Sequence, residues 1–500
     1  MSAGPDIVII GSGMGGATLA AGLAPSGARI VILERGQHLQ ASDQTRSGKA
    51  IFGDGVFRPN EQWLTPDGAA FNPGNFYYVG GNSKFYGAVL IRYRAEDFSH
   101  QQHLGGISPA WPITYAEFEP WYQAAEQMYQ VRGTLGEDPT EPVHSGTYPY
   151  PPVPDEAPIA DIRHRLAQLG MTPSSLPLGV DIAAWAAAGN NNWDGFPGTD
   201  PAKKDAESVG LAHALSFANV RLITGAEVQR LQTDAANRIT RIDFRQNGEL
   251  QHLSPKLVVL SAGAVNSAAL LLRSANDNNP GGLANSSDKL GRRFMNHNCS
   301  AVMALHPLRK NSAIYQKTLQ FNDFYLSGGP GDAPLGNVQL LGKITAEILA
   351  TQVNLPGPVT RWIAARSFDW YAMSEDLPSD DSRVSLRGDQ IVLDWKRSNW
   401  QAHEALVTKL KALLRRAGCP IVMSRAFDRK TPSHQCGTAV FGNDPNATVL
   451  DLFCRSHDHE NLFVVDASFL PTSAAVNPAL TIAAQALRVA DYIKHKDLIA

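Results

Sequence analysis

Two ends of this chain carry residue types and spacings suited to chemistry. Near the start, the apolar run Ile7-Val8-Ile9-Ile10 leads into Gly11-Ser12-Gly13-Met14-Gly15-Gly16, a GxGxxG pattern. Gly11 permits a tight turn, Gly13 lets backbone approach a pyrophosphate, and Gly16 lets the following helix pack on the strand. A small-residue helix over 17–23 would point the partial positive charge of its N-terminus at phosphates. A second strand over 29–33 ends in Glu34, placed to accept ribose hydroxyls and disfavour a 2′-phosphate. The glycine pattern alone is weak. Strand, turn, helix, strand and acid in this order make a dinucleotide-binding unit, without separating FAD from NAD.

The other end holds Ser433-His434-Gln435-Cys436-Gly437-Thr438, an apolar strand over 462–465 ending in Asp466, and Val476-Asn477-Pro478 followed by a helix to 493. Oxidising an alcohol requires its hydroxyl proton to leave as hydride departs from carbon, and a histidine is the usual base. A lone loop histidine such as His434 is more often a surface residue. Asn477-Pro478 reads as a helix start, an Asn cap with Pro at the first helical position. Asn477 is therefore either only a cap or part of a site where the helix N-terminus faces an anionic flavin edge. His457 and His459 have a spacing that suggests metal, but no further ligands stand nearby, and a solvated polar turn is expected.

The remaining elements must position these residues. Residues 40–75 are polar, Gly/Pro-rich and aperiodic, as in a surface loop or lid. The block Gly80-Gly81-Asn82 permits close backbone approach to a flat ring or a phosphate. A helix over 114–129 opens with a Thr114/Glu117 capping box and has an aromatic face that reads as core. Residues 190–197 have turn chemistry. Strands over 220–224, 227–232 and 239–245 read as a hairpin-like addition. The segment 257–273 repeats strand, small turn and helix, as if the chain returns to its first sheet. Alternating segments at 301–305, 338–344, 383–386 and 391–395 suit one largely antiparallel sheet, with an amphipathic helix over 403–417 outside it.

Bulk properties bound the class. Five hundred residues at net charge −3 allow more than one compact unit, with no basic run that would suggest nucleic acid. Four scattered cysteines argue against metal ribbons and disulfide scaffolds. No stretch reaches the ~18 apolar residues of a membrane span, and no leader is recognisable, so a cytoplasmic protein is expected.

Taken together, the blocks at 6–36, 79–92, 257–274 and 433–493 resemble the glucose–methanol–choline (GMC) family of FAD-dependent oxidoreductases, over nearly the whole chain. The resemblance implies an α/β fold, α+β overall. A Rossmann-like FAD-binding domain would come from discontinuous segments (1–150, 216–298 and 429–500). A substrate domain with a largely antiparallel central sheet would occupy 299–428, with 151–215 as connector and part of it. It also implies that Gly11, Ser12, Gly13 and Gly16 lie at the pyrophosphate, Glu34 at the adenosine ribose, and Val228 at the adenine through its backbone. Gly80, Gly81 and Asn82 would run along ribityl and flavin, Asp466 would sit by the pyrophosphate-ribityl region, and Asn477-Pro478 by the pyrimidine edge. His434 and Asn477 match the catalytic pair. Phe85 stands where some sugar-oxidising members carry a flavin-linked histidine, so FAD is expected to be non-covalent. Tyr86 departs from a common Asn. The block at 84–86 and the His434 loop lean towards the bacterial pyranose-oxidase-like branch, and thus to a sugar, glycoside or polyol substrate with oxygen, a quinone or another electron acceptor. Oligomeric state stays open. The competing readings are a cyanohydrin-lyase-type FAD enzyme without net redox chemistry and a redox-silent NAD-binding protein.

Overall fold

The computed structural model describes residues 4–189, 195–431 and 434–498. The expected turn at 190–197 therefore lies largely outside the described residues. Five parallel strands form the first sheet, in the order Leu462–Val464, Leu257–Leu260, Ile7–Ile10, Ile30–Glu34, Val220–Thr224. The three inner strands are fully buried, which is why they read as unbroken apolar runs. Val220–Thr224 was expected in a hairpin. It lies instead alongside Ile30–Glu34 as the sheet edge, and Ala226–Thr233, Ile239–Gln246 and Glu249–Leu253 make a separate antiparallel sheet.

Backbone contact fixes the glycines of the first turn. A Cβ on Gly16 would come 2.1 Å from the Gly11 carbonyl oxygen, and one on Gly15 would come 1.9 Å from that of Val465. Helix Met14–Leu23 is thereby pressed against the strand ends. The C-terminal helix Ala479–Lys496 crosses it at Gly22, where a Cβ would sit 2.8 Å from Ala490 Cβ. Helix Tyr115–Met128, opened by the expected Thr114/Glu117 box, docks there through Tyr122, whose hydroxyl lies 2.8 Å from Thr481 Oγ1.

A six-stranded antiparallel sheet faces this assembly, in the order Ile421–Ala426, Asn298–Leu305, Ser367–Ser374, Asn337–Leu340, Leu319–Phe321, Ser174–Ser175. Leu319, Phe321, Val338, Leu340 and Trp370 pack on one face against helix Trp400–Arg416. The opposite face carries Gln320, Asn337 and Gln339, as the two-residue strand period dictates. Arg383–Arg387 and Gln390–Asp394 were expected in this sheet. They form a different one with Trp63–Leu64 and Ala70–Phe71. The 40–75 segment is thus partly built into the fold, and Glu347 also accepts from Ser47 Oγ at 2.8 Å and Gly48 N at 2.9 Å.

One buried ion network holds the strand-like segment that follows the Gly80 block. The Arg92 guanidinium donates to Glu126 at 2.8 and 2.7 Å and to Glu119 at 2.9 Å, with Arg92 and Glu126 almost wholly buried. Arg92→Met should cost ~3–5 kcal/mol, because it strands two buried carboxylates. The urea midpoint should fall accordingly; an unchanged midpoint would mean that the network is neutral to stability.

Candidate active site

The carboxyl ends of the parallel strands meet at a crevice, the usual ligand position in such sheets. Ser12 organises its first wall. Its N–H and Oγ–H both donate to Glu34 Oε2 at 3.0 and 2.7 Å, and its Oγ accepts from Gly80 N at 3.0 Å. Glu34 Oε1 accepts from Gly36 N at 2.8 Å. One hydroxyl thus joins the two glycine turns and the strand-end acid, and a Cβ on Gly81 would lie 3.5 Å from Gly13 Cα. Val228 follows Glu227, which pairs with Arg35 at 3.2 Å, so it lies at the Glu34 end of the crevice. The Asn82 side chain is exposed and holds its own loop, accepting from Phe76 N at 2.9 Å. Asp466 closes the other side. It accepts from Gly263 N at 2.9 Å, Ser267 Oγ at 2.5 Å and Ser468 N at 2.8 Å, so it fixes the neighbouring turn backbone. Burial raises its pKa despite these donors.

The crevice suits a dinucleotide. A Cβ on Gly13 would meet no atom within 4 Å, which leaves open space at the helix N-terminus. None of the three helices beginning around the crevice, Met14–Leu23, Ala264–Arg273 and Ala479–Lys496, has an acid in its first turn. Those N-termini therefore keep their attraction for anions.

His434, Asn477 and Pro478 come together at the end of the C-terminal helix. Pro478 itself takes the cap position, and Asn477 makes no cap bond. The Asn477 amide instead receives Gln339 Nε2–H at its Oδ1 at 2.9 Å and places Nδ2 3.2 Å from His434 Nε2. The cap-only reading is overturned, because the side chain is held across the site rather than along its own helix.

A second histidine, His297, completes the arrangement. Its Nδ1 lies 2.8 Å from His434 Nδ1, and its Nε2 lies 2.7 Å from the Ser473 carbonyl oxygen. Met295 and Cys436 exchange backbone hydrogen bonds, so in antiparallel register residue 297 falls opposite 434. His297 stands just ahead of a strand, in Met295-Asn296-His297-Asn298, with no motif around it. Only the long-range pairing singles it out. His434, Thr438 and Ala474 all have left-handed backbones, with φ of 70°, 81° and 52°. Such clustered strain outside glycine is typical of functional loops.

The protonation pattern follows from one acceptor. A carbonyl cannot donate, so His297 must carry its hydrogen on Nε2. Burial lowers the pKa of His297 to about 4, against the pull of Ser473 and Glu375, so its Nδ1 is a bare acceptor at neutral pH. His434 then donates from Nδ1. Its own pKa is pushed well down, first by burial and then by His297 and Lys317, leaving Nε2 unprotonated opposite the Asn477 amide. The roof above this pair is the polar sheet face. Asn337 Nδ2 donates to Gln320 Oε1 at 3.2 Å and Asn322 Oδ1 at 2.8 Å, while the buried Gln339 Oε1 and Asn337 Oδ1 find no hydrogen-bond partner among the described residues.

His459 corrects an expectation. It is fully buried, accepting from Ala284 N at 3.0 Å and facing the Asn237 carbonyl at 2.7 Å, so it pins two loops rather than lining a solvated turn. Among the described residues no group of three His, Cys, Asp or Glu side chains is placed to hold a metal ion.

A parallel dinucleotide-type sheet and an imidazole set opposite an amide at its edge are the two features to compare with known proteins. Residues 188–299 and 378–486 each match GMC oxidoreductase sequence profiles, and residues 9–57 match an NAD(P)-binding Rossmann-like domain. The chain is 27% identical to the fructose dehydrogenase large subunit of Gluconobacter japonicus, over 98% of this chain and 97% of that protein. It is 28% identical to the paromamine 6'-oxidase of Streptomyces fradiae, over 97% and 90%. The crystal structure of pyridoxine 4-oxidase from Mesorbium loti superposes with a TM-score of 0.69 at 21% identity, over 98% of this chain and 99% of that one. The chain belongs to the GMC oxidoreductase family.

Two glycine substitutions separate cofactor space from fold. Gly13→Val should fold with unchanged far-ultraviolet circular dichroism but purify without flavin colour, because its side chain enters the open cradle. Gly16→Ala should impair folding itself through contact with Gly11. A yellow Gly13→Val protein would displace the pyrophosphate from this turn.

Proposed function

We propose that this protein oxidises a CH–OH group of a polyhydroxylated small molecule, a sugar, glycoside or polyol, with His434 as base. The observation that carries this reading is His434 Nε2 set 3.2 Å from Asn477 Nδ2, with its Nδ1 turned to His297 at 2.8 Å. His434 Nε2 takes the hydroxyl proton and Asn477 Nδ2–H holds the same oxygen, fixing the carbinol carbon in a reactive orientation. FAD, when bound, supplies the hydride acceptor. The arriving charge spreads over His434 and His297, steadied by the Ser473 carbonyl and the field of Glu375. The substrate class is supported by the buried acceptors of Gln339 and Asn337, which suit hydroxyl donors, and by relatives named for fructose and paromamine.

Non-covalent FAD is supported by Phe85, which offers no nucleophile and stacks on Phe76 with ring centroids 3.8 Å apart. Acid precipitation should leave the yellow colour in the supernatant. The FAD-binding segments 1–150, 216–298 and 429–500 each contribute strands to the parallel sheet, which supports that division of the chain. A cytoplasmic location is supported by four buried cysteines that form no disulfide with one another.

Anaerobic mixing with monosaccharides, glycosides, polyols and simple alcohols tests the reading. One polyhydroxylated class should bleach the flavin, and readmitted air distinguishes oxygen from a quinone-like acceptor by the speed of recolouring. If dithionite alone bleaches it across the panel, the reading is wrong in its substrate class or its chemistry. His434→Ala should keep the yellow cofactor and slow bleaching by ~10²–10⁴-fold, and His297→Phe by roughly 10–100-fold. An unaltered rate in His434→Ala removes that residue from the reaction.

The lowered histidine pKa values set the pH dependence. A base must be unprotonated, and a depressed pKa keeps it so at lower pH. The second-order rate constant of flavin reduction should therefore stay flat through the ordinary histidine value of about 6.5, and fall only well below it. A half-maximal point near 6.5 would contradict the buried arrangement.

A further inference from the structure

We propose that one corner of the six-stranded sheet is a docking surface for an anionic lipid bilayer. This inference stands apart from the choice of alcohol substrate. Three segments meet at the corner. Strand Asn298–Leu305 runs out into the loop at 306–310, whose Leu308 is 86% exposed. Arg366 Nε donates to the Pro307 carbonyl at 2.9 Å and its guanidinium lies 4.9 Å from the Trp362 ring, which brings helix Gly357–Ala364 alongside. Leu305 pairs with Ile421 on the edge strand, and Arg425 of that strand reaches the Gln352 carbonyl at 3.2 Å.

The surface so formed is apolar. Ile421, Met423, Trp362, Val359 and Leu355 are all exposed around Leu308. The patch is rooted, because Met303, Leu305, Leu349 and Ile363 form a small core beneath it. Its rim is cationic. The segments 305–310, 352–366 and 415–427 contain seven Lys and Arg residues and no Asp or Glu, in a chain of net charge −3. Asp161 and Arg309 both act on Cys419, and Asp161 is paired with Arg165 at 3.0 Å.

Exposed aliphatic and indole side chains ringed by Arg and Lys fit a bilayer interface, where apolar groups enter the acyl boundary and cations meet anionic headgroups. A second copy presenting the same patch would bring like charges together, which disfavours self-association. The cytoplasmic leaflet carries the required negative surface.

Sedimentation of the flavin-loaded full chain with vesicles tests this. It should pellet with vesicles containing phosphatidylglycerol at low salt and stay in solution with phosphatidylcholine alone. Arg309→Glu with Lys310→Glu should weaken partitioning roughly 30-fold or more. Leu308→Ser with Trp362→Ser should weaken it about tenfold, with circular dichroism and flavin content unchanged for both. A brominated lipid should quench tryptophan fluorescence in the native chain and clearly less in Trp362→Phe. No pelleting with anionic vesicles, pelleting indifferent to all four substitutions, or capture by polyglutamate without vesicle binding would each overturn the proposal, the last in favour of an acidic protein partner.

Discussion

The carbonyl oxygen of Ser473 can accept hydrogen bonds and can donate none, and the reactive state of this site follows from where that oxygen is held. It receives Tyr93 OH at 3.0 Å and His297 Nε2 at 2.7 Å. Its own residue is clamped, with Ser473 Oγ donating to the Asp376 carbonyl at 2.9 Å and accepting from Asp376 N at 3.1 Å. From that anchor the hydrogen positions propagate outward through His297 to His434. The interior strengthens each bond and makes an unpaired group costly, so alternative tautomers are strongly disfavoured.

The rest of the fold serves to bring distant segments to this carbonyl. Tyr93 arrives on the segment flanked by the buried Arg92 and Arg94, His297 at the mouth of a long strand, and Gln339 from the middle of the polar sheet face. Asn477 sits at the foot of the helix that crosses the glycine-turn helix. Each side chain is locked by a partner from another segment, which is what a preorganised site requires. The six-stranded sheet divides its labour by face, with an apolar side against helix Trp400–Arg416 and an amide-rich side above the imidazole.

What could be read from the sequence was what is encoded locally. The strand, glycine turn and acid at 6–34 lie within thirty residues, and their spacing already carries their geometry. The Thr114/Glu117 box and the C-terminal helix are legible for the same reason. Asn477 was ambiguous because Asn-Pro marks helix starts, and only the reach of Gln339 across the site distinguishes a held amide from a cap. His297 was invisible because its meaning lies in the Met295–Cys436 register, which joins residues far apart in the chain. The same non-locality misassigned Val220–Thr224 and the 383–394 hairpin, since strand alternation reveals a sheet face but not which sheet it joins.

The most direct measurement of this account is the protonation of His434 in the resting protein at neutral pH. In histidine-labelled protein, ¹⁵N spectra distinguish a protonated ring nitrogen from a bare one, and comparison with a His434→Ala sample assigns the signals. The hydrogen should lie on His434 Nδ1, with Nε2 bare and the ring neutral. A hydrogen on Nε2, or a doubly protonated ring, would contradict the chain of donors that begins at Ser473 and with it the assignment of His434 as a base ready to accept a proton.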